Sequence, residues 1–157
     1  MEPEQRRALL ARYRDGHREV VDALAGATDA ELDAVPAPGE WSARMVVHHL
    51  ADSEMTSAIR LRRLLSEDRP VLAGYDEVEF ARRLHYDRPL AASLEVLRAV
   101  RDATAELVDA LDEEEWSRAG THSDSGPYTV EGWLEIYAAH AHDHADQIRR
   151  ARAAAAR

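Results

Sequence analysis

Along most of the chain, apolar residues recur every three to four positions, the period of a helix with one buried face. The first such stretch runs from about Pro3 to Ala25, with Leu9, Leu10, Tyr13, Val20, Val21 and Leu24 as apolar positions. Pro3 suits a helix start, and Gly26 stands just past the end. Thr28 then caps a short turn that Pro36, Pro38 and Gly39 break. A second long helix starts near Ser42 and reaches about Leu65, its buried stripe marked by Val46, Val47, Leu50, Ala51, Ala58, Leu61 and Leu65. After a loop holding Pro70 and Gly74, Asp76 caps a short helix through Arg83. The third long helix covers about Leu90 to Leu111. The segment from Glu115 to Tyr128, with Gly120, Gly126 and Pro127, is predicted as a loop; it is long for a connection between helices, and long loops are often functional. The fourth helix begins at Thr129 and runs to the terminus, with fraying expected over Ala153 to Ala156. There is no internal repeat and no interdomain linker. The pattern predicts one all-α domain over residues 1–157.

Composition agrees. Ala, Leu, Glu and Arg, all strong helix formers, dominate. A hydrophobic fraction of 45% and a charged fraction of 32% are those of a soluble globular protein. The formal net charge of -10 argues against a nucleic-acid partner held by phosphate neutralisation. No apolar run approaches the roughly 18 residues of a membrane span, and the N-terminus lacks the apolar segment of a signal peptide. The expected location is the cytoplasm, with no membrane partner. All 20 basic residues are Arg, which reads as the codon bias of a GC-rich genome. Cysteine is absent, which excludes disulfides, a cysteine nucleophile and thiolate ligands, and leaves histidine and carboxylate to bind any metal.

The chemistry concentrates in histidine. His140 and His144 are four apart in the fourth helix, which puts their Cβ atoms roughly 5–6 Å apart on one face. With 100° per residue, Val130, Leu134, Tyr137, Ala141 and Ile148 define the apolar side, and both histidines lie on it or at its edge. His142 falls with Glu131, Glu135, Asp146 and Arg149, on the side expected to face solvent. Two imidazoles on one face need a third ligand to hold a transition metal. His48 and His49 in the second helix are candidates, and they flank its buried stripe at similar angles, so spacing does not choose between them. His49 shares a line with Ser53, Thr56 and Arg60, a polar row able to edge a water-filled cavity. His17, His85 and His122 are expected at the surface, and Trp41, Trp116 and Trp133 in packing roles. There is no Ser/His/Asp order, Gly-rich phosphate loop or nucleophile elbow.

The segment from Glu40 through His48-His49-Leu50-Ala51-Asp52 to Ser53 resembles the second helix of the DinB-like superfamily, and its YfiT-like branch most closely. Ile59-Arg60 to Pro70, then Tyr75-Asp76-Glu77, continues in that branch's order, and Tyr137 through Ile148 resembles the family's last helix. The likeness starts at about residue 28; the chain departs from the branch at His142-Asp143. The resemblance implies a four-helix bundle with an up-down-down-up path and one metal ion held by three histidines: His49, as the second of its pair, with His140 and His144. Three nitrogen ligands suit a divalent ion, zinc or nickel foremost, and also iron, copper or manganese; the substrate is expected to be a small molecule. The expected activity is thiol S-transfer to electrophiles with a low-molecular-weight cosubstrate of the mycothiol or bacillithiol type. The alternatives are hydrolysis by metal-bound hydroxide and a non-catalytic, metal-stabilised bundle. Arg60 is expected to bind an anionic substrate or cosubstrate, Asp52 to orient an imidazole, and the chain to form a homodimer.

Overall fold

Local chemistry sets where the helices begin in the computed structural model, which describes residues 1–155. Pro3 opens α1 (Pro3–Leu24), and Thr28 closes a reciprocal capping box with Glu31 at the head of the short α2 (Asp29–Asp33). The Ser42 side chain accepts from the Met45 amide at the start of α3 (Ala43–Ser66). A two-residue strand β1 (Val71–Leu72) follows, and Asp76 caps α4 (Glu77–Arg83). Next come α5 (Ala91–Asp109) and α6 (Glu113–Trp116), then β2 (Ala119–His122) and β3 (Gly126–Thr129). Thr129 caps α7 (Val130–Ala154) through the Gly132 amide. The helix persists through Ala154; residue 156, the end of the stretch expected to fray, lies outside the described residues.

The long helices α1, α3, α5 and α7 form a four-helix bundle. α7 packs between α1 and α3, and α5 packs between the same two on the other side. Specific contacts give the directions. Arg6 near the start of α1 pairs with Glu131 near the start of α7, and Arg152 near the end of α7 donates to the Ala23 carbonyl near the end of α1, so these helices are parallel. His48 meets Ser93 and Arg62 meets Thr104, so α3 and α5 are parallel too. Trp133 donates to the Ser57 carbonyl, while His49 lies beside His144, so α3 and α7 are antiparallel. The path is up-down-down-up. The parallel α3–α5 pair requires the long crossover that carries β1 and α4.

The segment from Glu115 to Tyr128 is not the plain loop expected from its Gly and Pro content. It holds the end of α6 and an antiparallel hairpin, with Thr121 opposite Pro127 and Ala119 opposite Thr129. Gly126, at φ 80, closes the three-residue turn between the strands, a conformation costly for any residue with a Cβ. β1 adds in parallel to β2, giving the order β1-β2-β3. Gly120 permits this packing: a Cβ there would lie 2.5 Å from the Pro70 carbonyl oxygen. Strands of two to four residues, two of them containing Gly, are too short to show an alternating apolar pattern, so the little sheet left no signal of its own kind.

The core has two apolar clusters. One gathers Tyr13, Leu61, Leu64, Val108, Trp133 and Leu134; the other gathers Val20, Val46, Leu50, Leu97, Ala145 and Ile148. At the level between them lies a buried polar knot. The Arg101 guanidinium on α5 donates to the Tyr13 carbonyl of α1 (2.9 Å), the Tyr137 carbonyl of α7 (2.9 Å) and the Glu54 carboxylate of α3. The Tyr13 hydroxyl donates to the same carboxylate. One side chain thus ties all four long helices. Gly16 makes room for it, since a Cβ there would sit 2.8 Å from Arg101 Nη2 and 2.7 Å from Ala141 Cβ. Among the described residues no helix is long and apolar enough to cross a membrane.

Candidate metal centre

One layer from the knot, the antiparallel packing of α3 on α7 brings His49, His140 and His144 together. One donor atom of each lies within 4.8 Å of the others. Ring centroids are 4.8 Å apart for His49 and His144, 5.4 Å for His49 and His140, and 4.5 Å for His140 and His144. The Nε2 atoms of His140 and His144 are 3.2 Å apart. The edge of Trp41 packs on His49 (5.0 Å between ring centroids) and Tyr137 packs on His140 (5.5 Å).

Burial holds these imidazoles neutral. It pushes His49 down to about 4 and His140 down to about 2, with nearby His144 adding to both shifts. His144 is also lowered by burial, opposed by its bond to Gln147. Neutral imidazole is the form that ligates a metal. Gln147 Oε1 accepts from His144 Nδ1 at 2.7 Å, which leaves the lone pair on Nε2, the atom facing His140. The Nδ1 atoms of His49 and His140 are buried without a protein partner. Three neutral nitrogen donors in one cluster, with ring atoms the protein leaves unpaired, fit a divalent transition metal.

His48 and His49, equivalent by spacing, do different things. The His48 ring lies 2.8 Å from Ser93 Oγ through Nδ1 and 2.9 Å from the Arg88 carbonyl through Nε2, so both nitrogens are engaged in joining α3 to α5 and the chain before it. His142, expected in solvent, is half-buried against α1 and donates to the Arg12 carbonyl at 3.0 Å. His17, His85 and His122 stand outside the cluster. Asp52 does not orient an imidazole by hydrogen bond; its carboxylate accepts from the buried Tyr86 hydroxyl at 2.7 Å. Gln147 takes that role for His144. Its place three residues on, on the same helical face, was the available signal.

A cavity of about 400 Å³ opens onto His144, bounded by Trp41, Glu40, Glu77, Gln147 and Arg150. Arg60 lies elsewhere, along the polar row that continues from His49 through Ser53. It is 9% exposed, and its Nη2 donates to the Ala73 carbonyl at 2.7 Å. Thr56, in the same row, turns its hydroxyl to the Asp52 carbonyl.

The three-histidine cluster sits inside a four-helix bundle of up-down-down-up path. The family model of the DinB superfamily matches residues 12–148, and the chain belongs to that family. A protein of Oceanobacillus iheyensis named "Putative metal-dependent hydrolase" is 35% identical over 118 residues, 75% of this chain and 69% of that protein. YfiT of Bacillus subtilis, with the same descriptive name, is 33% identical over 123 residues, 77% of this chain and 69% of YfiT. The solved structure of YfiT, described as a probable metal-dependent hydrolase with an unusual four-helix bundle topology, superposes with a TM-score of 0.91 over 96% of this chain and 87% of that one, at 29% identity. A second four-helix bundle protein, TT2238, gives 0.66 over 92% of this chain and 98% of its own at 26% identity.

Proposed function

We propose that this chain is a metal-dependent enzyme acting on small molecules, with His49, His140 and His144 holding one divalent ion, zinc or nickel foremost. The observation that carries the reading is the convergence of three neutral imidazoles beside a solvent-reached cavity, with no fourth protein ligand in the group. Three nitrogen ligands and an open position are a catalytic arrangement. When bound, such an ion lowers the pKa of a coordinated water or thiol, so that the nucleophile is available at neutral pH. The protein's own contribution is to fix the ligands. Gln147 sets the tautomer of His144, Trp41 and Tyr137 hold the His49 and His140 rings, and burial keeps all three unprotonated.

Hydrolysis takes first place, supported by the names of the relatives and by Glu77. This carboxylate lines the same cavity as His144 and makes no hydrogen bond or ion pair with other described residues, which leaves it free to receive a proton from water. Thiol S-transfer, with a mycothiol- or bacillithiol-type cosubstrate, is the second reading. In that reading any thiolate comes from outside, because the chain has no cysteine. The two separate on turnover of ester, amide and chloro-aromatic panels by metal-loaded protein with and without thiol. Thiol-independent hydrolysis supports the first reading. Strict thiol dependence replaces it with the second, and stability loss on chelation without turnover reduces both to a metal-stabilised binding bundle.

A further inference from the structure

Arg60 is buried, and among the described residues no carboxylate pairs with it. Its Nη2 has the Ala73 carbonyl, but its Nε is buried without any partner. An uncompensated guanidinium inside a protein is costly, and proteins normally supply such a group with an anion. The groups around it are also rich in donors. The Tyr75 ring lies 5.8 Å from the guanidinium carbon, and the Tyr75 hydroxyl is buried without a partner. Ser53 neighbours Tyr75 and Tyr137, and Tyr137 neighbours Arg60, with no hydrogen bond formed among these four side chains. Ser53 and Tyr137 are 4% and 5% exposed. Two carboxylates stand near these groups: Glu54, engaged by Arg101 and Tyr13, and Glu77, which neighbours Tyr75 and lines the cavity at His144. On its outer side Arg60 borders a groove of about 380 Å³ with Met55, Thr56, Ile59, Arg63 and Ala73.

We propose that Arg60, with the hydroxyls of Ser53, Tyr75 and Tyr137, forms a binding site for an oxyanion, the carboxylate or phosphoryl-type group of the small molecule whose reacting end lies at the three histidines. The site rests on the metal-centre reading for its role in catalysis but not for its chemistry. A guanidinium fork and converging hydroxyls match a planar or tetrahedral oxyanion, which accepts from all of them. The site adjoins the histidines directly: Ser53 stands one turn after His49, and the Tyr137 ring is in contact with that of His140. Ser53 and Arg60 stand one and three turns from His49, so the anionic group sits about 6–16 Å along the helix axis from the metal ligands. The substrate class is therefore a small acid, with its reacting bond several atoms from the acidic group.

Anion binding to the metal-free protein tests the site independently of the metal. Sodium phosphate and sodium acetate, compared with chloride at equal ionic strength, are titrated against wild type, Arg60→Met, Tyr75→Phe and Ser53→Ala by calorimetry and thermal unfolding. Phosphate, acetate or both raise the wild-type Tm above that in chloride, and which one does so identifies the anion type. Arg60→Met melts at or above the wild-type temperature in chloride, having lost an unpaired buried charge, and binds the anion at least about tenfold more weakly. Tyr75→Phe and Ser53→Ala stay folded and respond less than wild type. A wild type indifferent to both anions overturns the site, as does an undiminished response in Arg60→Met. Should that variant fail to fold, wild-type responses in both Tyr75→Phe and Ser53→Ala overturn it instead. Failure of metal binding leaves these outcomes untouched and counts only against the metal centre.

Discussion

Arg101 and Arg60 are both buried arginines, and they are opposites. Arg101 is 1% exposed, and each of its three nitrogens has a partner, on three different helices. Arg60 is 9% exposed, and one nitrogen has a backbone carbonyl while another has none. A buried charge whose partners are all supplied by the fold is part of the fold. A buried charge left short of partners is open to water, an ion or a ligand. His48 and His49 repeat the contrast one layer away: His48 has both nitrogens bonded within the protein, while His49 has a buried Nδ1 with no partner.

The contrast breaks most visibly at Arg101. Arg101→Met strips Glu54 of its cation and two carbonyls of their donor, and is expected to cost about 3–5 kcal/mol in denaturant unfolding. Glu54→Gln, which keeps the shape and some hydrogen bonds, should cost less. A loss under about 1 kcal/mol for Arg101→Met would remove the distinction between the two arginines. Gly16→Ala comes next, at about 1–3 kcal/mol, because its methyl would meet Arg101 and Ala141 inside normal contact distance. Chemical denaturation of the double variant Gly16→Ala, Arg101→Met shows whether the two effects share a cause: its cost should be less than the sum of the two single costs.

The histidines set the pH dependence of the metal-free protein. His48, His49, His140 and His144 all have folded pKa values below the usual 6.5, with burial as the largest cause. The unfolded chain therefore binds more protons than the folded one below about 6.5, and stability falls as pH falls through that value. Between pH 7 and pH 5 the midpoint of urea unfolding should move to lower urea. Bound metal excludes protons from the same nitrogens and should steepen this loss. A midpoint unchanged from pH 7 to pH 5 would contradict the burial of the cluster. The smallest expected effect is on mass: we propose the homodimer expected from the sequence, which scatters light as about twice 17.6 kDa at micromolar concentration, and a particle of 17.6 kDa overturns it.

How much of this was legible in the sequence follows from how local each signal is. Helix starts were visible because Ser42, Thr129 and Asp76 act on amides three residues ahead. His140 and His144 were visible as a pair because one turn of helix relates them. The approach of His49 to them depends on α3 packing antiparallel to α7, which no spacing records; family resemblance supplied it, and the geometry agrees. Arg60 and Ser53 stood out as a polar row, but their neighbour Tyr75 comes from the crossover segment after β1, out of reach of any helical wheel. The Arg101 knot and the small sheet were missed for the same reason. An arginine among helix formers, and four-residue strands containing glycine, acquire meaning only from partners far away in the chain.

The central claim is that His49, His140 and His144, and not His48, hold the metal. Elemental analysis and zinc or nickel titration of metal-stripped protein test it most directly. The wild type should bind one ion per chain. His49→Ala and the double variant His140→Ala, His144→Ala should bind none tightly while keeping their helical signal. His142→Ala should bind as wild type does, and His48→Ala, though destabilised by the loss of its bonds to Ser93 and Arg88, should still take up one ion. Full metal content in the double variant, or its loss in a folded His48→Ala but not in His49→Ala, would contradict the account.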